Sequence, residues 1–210
     1  MLNNLKLKTG SIILFHKIGF LPFMIRFIAN TDYNHAGIIV KNEDIYYNKK
    51  ELSDRNISII SSNTDQEQHK YFVAEALANG VKLIPLKNRL SDEKYSKKVR
   101  IYEPTYPQFS LQNFWNDLLF IAGRNYDYSN TFWVQLIYNL TGIWLGAKTE
   151  AEALKKLNCY EVIWYIHRRT KTFTEIDGKW WKSRVNAIIK NKYQEFKIVY
   201  DSKFPHQLFI

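Results

Sequence analysis

The apolar positions of this chain switch between strand-like runs and helical spacing, and the switches lay out most of its elements. Lys6 to Phe15 reads as a short strand, a turn at Thr9-Gly10 and a second strand from Ser11 to Phe15. Phe20 to Ala29 follows as a short apolar core helix, with Pro22 in the first turn, where its missing N–H would have no helical partner anyway. His16, Lys17, Gly19, Pro22 and Arg26 break this region too often for a membrane span. Asn34 to Val40 is a buried-strand run led by His35, and Tyr71 to Leu77 is a second, with Glu75 in its middle. Asn79-Gly80 turns the second into a third, Val81 to Leu86, while a polar loop from Asn48 to Lys70 separates the first two.

Downstream, the pattern predicts a short helix from Leu90 to Lys98, a strand from Val99 to Tyr102 and a helix from Leu111 to Ala122 ended by Gly123. Tyr128 to Ala147 then carries no formal charge over twenty residues. Asn130, Gln135, Asn139, Thr141, Gly142 and Gly146 break it up, so it reads as a helix of roughly ten residues that stops near Leu140, followed by a turn. Either that helix is buried, or Trp133, Tyr138 and Trp144 form an aromatic hairpin that touches a membrane. After a further helix starting at Cys159, a turn is expected at Asp177-Gly178. An amphipathic helix is expected from Val185 to Phe196, and an edge strand before Pro205.

Composition narrows the picture. With 46% apolar and 16% aromatic residues in 210, the chain is a folded globular protein, expected to form a single domain over residues 1–210. One cysteine permits no internal disulfide and no export signal precedes Gly10, which points to a reducing, cytoplasmic setting, with membrane association as an option. The net charge is +10, and residues 165–210 carry ten Lys and Arg against four Asp and Glu. Such a bias suits an anionic partner, including an anionic membrane surface, or is simply a solvated basic face. No nucleic-acid signature accompanies it, so nucleic acid is not expected as a partner.

The candidate chemistry centres on Cys159. Asn158 is a good helix N-cap and Glu161, three positions later, can reach back to the cap's N–H. Cys159 then falls in the first helical turn, where unpaired N–H groups and the helix dipole favour a thiolate over a thiol. A lone cysteine can equally be a small buried hydrophobe, so the reading needs a base and an orienting group. His35 and Glu75 supply them, on strands expected to be neighbours. Glu75 needs a partner in any case, because an isolated carboxylate among Val73, Ala74, Ala76 and Leu77 is costly to bury. A structural salt bridge to a Lys or Arg would satisfy it; so would a histidine on the next strand. His16, His69, His167 and His206 fit less well, and none has metal-ligand spacing, so neither metal nor cofactor is expected.

Five stretches in order carry a family resemblance: Gly10 to Phe15; Asn34 to Ile38; Val73 to Ala76 with Gly80 to Leu86; Tyr126-Asp127-Tyr128; and Cys159 to Val162. Together they resemble the circularly permuted NlpC-type papain-like superfamily, which includes lecithin:retinol acyltransferase and bacterial YiiX-type proteins. The resemblance spans roughly residues 8–168 and leaves 169–210 as a C-terminal extension. It implies an α+β papain-like fold in which the cysteine helix follows an antiparallel sheet. It also implies Cys159 as nucleophile, His35 as general base, Glu75 as orienting residue, and an acyl-lipid or peptide substrate with an amide or ester bond. Tyr160 stands where the family has a small Ser, which would reshape the pocket mouth. The alternatives are a non-catalytic lipid- or partner-binding module on the same scaffold, and a cell-wall peptide endopeptidase.

Overall fold

The structure, a computed structural model, describes residues 6–47, 49–54, 58–59, 69–77, 80–122, 124, 127, 133–174, 178–182 and 187–203. Its centre is a sheet of β1 (Ile12–Lys17), β2 (His35–Lys41), β3 (Ser58–Ile59), β4 (Tyr71–Leu77), β5 (Gly80–Pro85), β6 (Tyr95–Pro104) and β7 (Phe196–Asp201). Their spatial order is β3-β5-β4-β2-β1-β6-β7. Neighbours pair antiparallel, except for the parallel β3–β5 pair at one edge. The helices are α1 (Phe20–Ala29), α2 (Asn42–Tyr47), α3 (Lys49–Asp54), α4 (Leu86–Ser91), α5 (Leu111–Ile121), α6 (Gln135–Thr141), α7 (Glu150–Ala153), α8 (Cys159–Ile166) and α9 (Ala187–Lys190). The fold is α+β, with helices packed on a mainly antiparallel sheet.

Both faces of the central strands are covered, which is why β1, β2 and β4 read as continuous apolar runs rather than as alternating ones. On one face Leu14, Ile38 and Ala74 pack with Leu118 of α5 and Ile163 of α8. On the other, Ile13, Ile39 and Val73 pack with Leu86 of α4 and Val99 of β6. All eight residues of α8 are buried, so it is an interior helix, its one carboxylate, Glu161, lying in the first turn. Arg168, just past its end, donates two hydrogen bonds to the Asp117 carboxylate at 2.7 and 2.9 Å and fastens α8 to α5.

Several expectations change in the structure. Lys6 to Lys8 is not a strand; the Thr9-Gly10 turn leads directly into β1. The helix expected at Leu90–Lys98 is instead α4, four residues earlier at its start, and Tyr95 already belongs to β6. Among the described residues of the predicted Val185–Phe196 helix only α9 is helical, and Phe196 opens β7 because it pairs with Pro104. The polar loop between β2 and β4 contains α3 and β3. α1 has the expected bounds but is no core helix: Phe20, Phe23 and Phe27 are exposed. The expectations at Asn79, Gly123, Tyr126, Tyr128, Asp177, Pro205 and His206 lie outside the described residues. The C-terminal extension contributes β7, which completes the sheet beside β6 as an edge strand.

Candidate active site

Cys159 is the first residue of α8, and the sequence around it folds as its capping chemistry requires. The Asn158 side-chain oxygen accepts the N–H groups of Tyr160 and Glu161, both at 2.9 Å. The Glu161 carboxylate accepts the N–H of Asn158 at 2.8 Å, which completes a capping box with Asn in the place of Ser or Thr. The sulfur therefore stands at the positive end of a buried helix. The Tyr160 hydroxyl donates to the Tyr33 carbonyl at 3.2 Å and ties this first turn to the chain just before His35.

His35 opens β2 and pairs with Phe15 of β1. Side chains alternate along a strand, so Glu75, between Ala74 and Ala76, points to the face that α4 covers. There the Nε2–H of His35 donates to Oε2 of Glu75 at 2.8 Å. From α4, Arg89 adds a two-pronged contact, Nε to Oε1 at 2.8 Å and Nη2 to Oε2 at 2.9 Å. Glu75 is thus both the histidine's partner and one half of a structural ion pair.

The electrostatics follow from these contacts. Burial opposes charge on His35, but the charge and hydrogen bond of Cys159, together with those of Glu75, hold its pKa up to about 9. Burial would also raise the Glu75 carboxyl, yet the charges and hydrogen bonds of His35 and Arg89 keep it below the ordinary carboxylate value. At neutral pH the pair is a carboxylate and an imidazolium. With Nε2 taken by Glu75, the nitrogen left to face the hydrogen-bonded sulfur is Nδ1. The cluster is nearly dry: Cys159 is 3%, His35 4% and Glu75 0% exposed.

All three residues expected from the sequence therefore meet, and Arg89 is the member that sequence reasoning missed. Its place in the chain gave no local sign of this: Arg89 stands on α4, past β5, the strand paired with β4. The helix start expected at Leu90 left it outside any element. The other described histidines serve elsewhere. The Nδ1 of His16 contacts the Asp32 carbonyl at 2.8 Å, and the buried His167, whose pKa burial lowers to about 3, contacts the Tyr106 hydroxyl at 2.8 Å. Among the described residues no group of three or more His, Cys, Asp or Glu is placed to hold a metal ion. A cleft of about 720 Å³ opens beside α1, lined by Phe23, Phe27, Arg26 and Arg100 among others, and none of the three site residues lines it. Chemistry rather than cavity size marks the site.

Gly37 sets the spacing of β2 and β4 at Glu75. A Cβ there would lie 2.4 Å from Cγ1 of Val73 and 3.0 Å from Cγ of Glu75, closer than packed carbons approach. Gly37→Ala is expected to cost about 1–3 kcal/mol in denaturant unfolding and to lower turnover by displacing Glu75. Unchanged stability and turnover would refute this role.

Comparison with known proteins places the chain in a family. The family described as permuted papain-like amidase enzyme, YaeF/YiiX, C92 family, matches residues 6–159, a span that includes His35, Glu75, Arg89 and Cys159. A crystal structure titled metalloprotein yiiX from Escherichia coli O157:H7 aligns with a TM-score of 0.48 at 16% identity, over 94% of this chain and 98% of that one. No curated protein matches the chain. On a match that covers most of its length, the chain belongs to the permuted papain-like amidase family, which is of cysteine-amidase type.

Proposed function

We propose that the protein is a thiol hydrolase that opens an acyl-amide or ester bond through Cys159, His35 and Glu75. The observation that carries this is the relay itself: a sulfur at a helix N-terminus hydrogen-bonded to an imidazole whose far nitrogen is held 2.8 Å from a buried carboxylate. Hydrogen bonding to the raised imidazolium and the helix dipole both favour the thiolate, so Cys159 is held as a nucleophile before substrate arrives.

The thiolate attacks the carbonyl carbon, and the oxygen that becomes negative is stabilised by the backbone N–H of Cys159 at the helix start, with a neighbouring donor. As the tetrahedral species collapses, the His35 imidazolium gives its proton to the departing amine or alcohol, leaving a thioester on Cys159. Neutral His35 then takes a proton from water, which attacks the thioester, releases the acid and restores the thiolate–imidazolium pair. An amine or hydroxyl acceptor in place of water would make the same step an acyl transfer. Glu75 holds the ring so that Nδ1 faces sulfur and stabilises the imidazolium without itself taking the proton.

The proposal fixes a pH dependence. The leaving group needs protonated His35, so turnover is expected to fall as pH rises through about 9. Glu75→Gln removes an anion that raises this pKa, so the basic limb should move towards neutrality by about one to two pH units. The measurement is the pH profile of kcat/KM on a chromogenic acyl ester and amide. An identical basic limb in wild type and Glu75→Gln would argue that the carboxylate has no part in tuning His35.

A further inference from the structure

Large apolar side chains on the exposed surface gather on two segments that lie against each other, α1 and residues 133–145. On α1, Phe20 is 81%, Phe23 53% and Phe27 73% exposed; on the second segment Trp133 is 61%, Leu140 76% and Ile143 58% exposed. Gly142, in the left-handed conformation, ends α6 and turns the chain so that Ile143 and Leu145 project from a loop. Trp144 is less exposed, its indole N–H donating to the Ala147 carbonyl at 3.1 Å and its ring meeting Tyr138 edge-on. So many phenylalanines and aliphatics in water on two neighbouring segments are unusual for a protein that needs only to stay soluble.

The charges around them choose the occupant. Residues 17–31 and 133–148 contain Lys17, Arg26 and Lys148 and no Asp or Glu. The carboxylates that flank the two segments are engaged: Asp32 with Lys203, Glu150 with the Trp180 indole N–H at 3.0 Å, and Glu152 with the Lys148 N–H at 2.8 Å. A second copy of the chain placed on this face by a two-fold axis would bring cation against cation, with only these already engaged carboxylates nearby. A bilayer rich in anionic lipid answers both features at once, taking the apolar side chains below the head groups and the cations among them. No helix among the described residues is long and apolar enough to cross a membrane, so contact of this kind is peripheral. We propose that α1 and residues 133–145 form a docking face for an anionic membrane surface.

The face is joined to the candidate site. The Asn34 carboxamide donates to the carbonyls of Pro22 and Lys17 at 2.8 and 3.0 Å and accepts the Lys17 N–H at 2.7 Å. The residue before His35 is therefore fastened to the start of α1, and docking would bring the strand that carries the imidazole next to the lipid surface. The docking face stands without the amidase reading, and its test reads binding rather than turnover.

The test is co-sedimentation of the full chain with phosphatidylcholine vesicles, pure or with roughly one-third phosphatidylglycerol. Wild type is expected to pellet with the anionic vesicles and far less with the neutral ones. Phe20→Ser/Phe27→Ser and Leu140→Ser/Ile143→Ser, which alter exposed side chains, should keep the melting temperature and lose roughly tenfold in partitioning per side chain removed. Should a double variant fail to fold, Phe20→Ser alone asks the same question at the most exposed position. Wild type that stays in the supernatant would overturn the proposal. So would variants that bind as well as wild type, because the basic surface alone would then hold lipid. A wild-type dimer that these substitutions convert to monomer, without vesicle binding, would give the face to a second copy instead.

Discussion

Cys159→Ala and His35→Ala are each expected to remove hydrolysis of acyl esters and amides, by on the order of 10³-fold or more in kcat, with the fold intact. The loss is large because the two groups act as one unit: without sulfur there is no thioester, and without imidazole there is neither thiolate pairing nor a proton for the leaving group. For the same reason the double variant should lose no more than either single one. The fold should survive because neither change strands a charge. Removing His35 leaves Glu75 in its two-pronged contact with Arg89, and removing the Cys159 sulfur deletes a small buried group inside a complete capping box. A substrate-independent check is alkylation of Cys159 by iodoacetamide near neutral pH, which should be fast in wild type and slow in His35→Ala. Hydrolysis retained in either variant, or alkylation equally slow in both proteins, would leave only a binding scaffold.

What the sequence revealed of this site and what it hid divide along a physical line. The capping box at Asn158 and Glu161 is local chemistry, complete within four residues, and it formed as read. His35 and Glu75 were legible because each is a polar residue where a buried strand should be apolar, an anomaly that demands a partner. Arg89 was not legible, because a surface-type residue on a short helix gives no sign of which carboxylate it will meet. Its partner is set by how α4 folds back on β4. The exposure of Phe20, Phe23 and Phe27 was hidden for a related reason: apolar spacing shows that a face wants cover, not whether this chain supplies it. The end of the chain misled differently. Val185, Ile188, Ile189 and Phe196 fit a helical stripe, but backbone pairing with β6 claims Phe196 for the sheet.

Arg89→Met is expected to destabilise the protein by about 3–5 kcal/mol, the usual penalty when one partner of a buried ion pair is removed. At roughly 2–4 °C per kcal/mol for a chain of this size, the drop in melting temperature is easily measured. The size follows from asymmetry within the pair. Glu75 is fully buried, so without Arg89 its charge rests on a single bond to His35. Arg89 is 12% exposed at its side chain and also contacts Asp92 at 3.3 Å, so Glu75→Gln should cost less than Arg89→Met. Arg89→Met/Glu75→Gln should regain most of the lost stability, since no uncompensated charge remains. Its basic pH limb should stay displaced as in Glu75→Gln, because His35 still lacks the anion that holds its ring and raises its pKa. A purely structural pair would restore the wild-type pH profile together with stability in the double variant. Stability of Arg89→Met within about 0.5 kcal/mol of wild type would instead show that His35 alone suffices to keep Glu75 charged in the core.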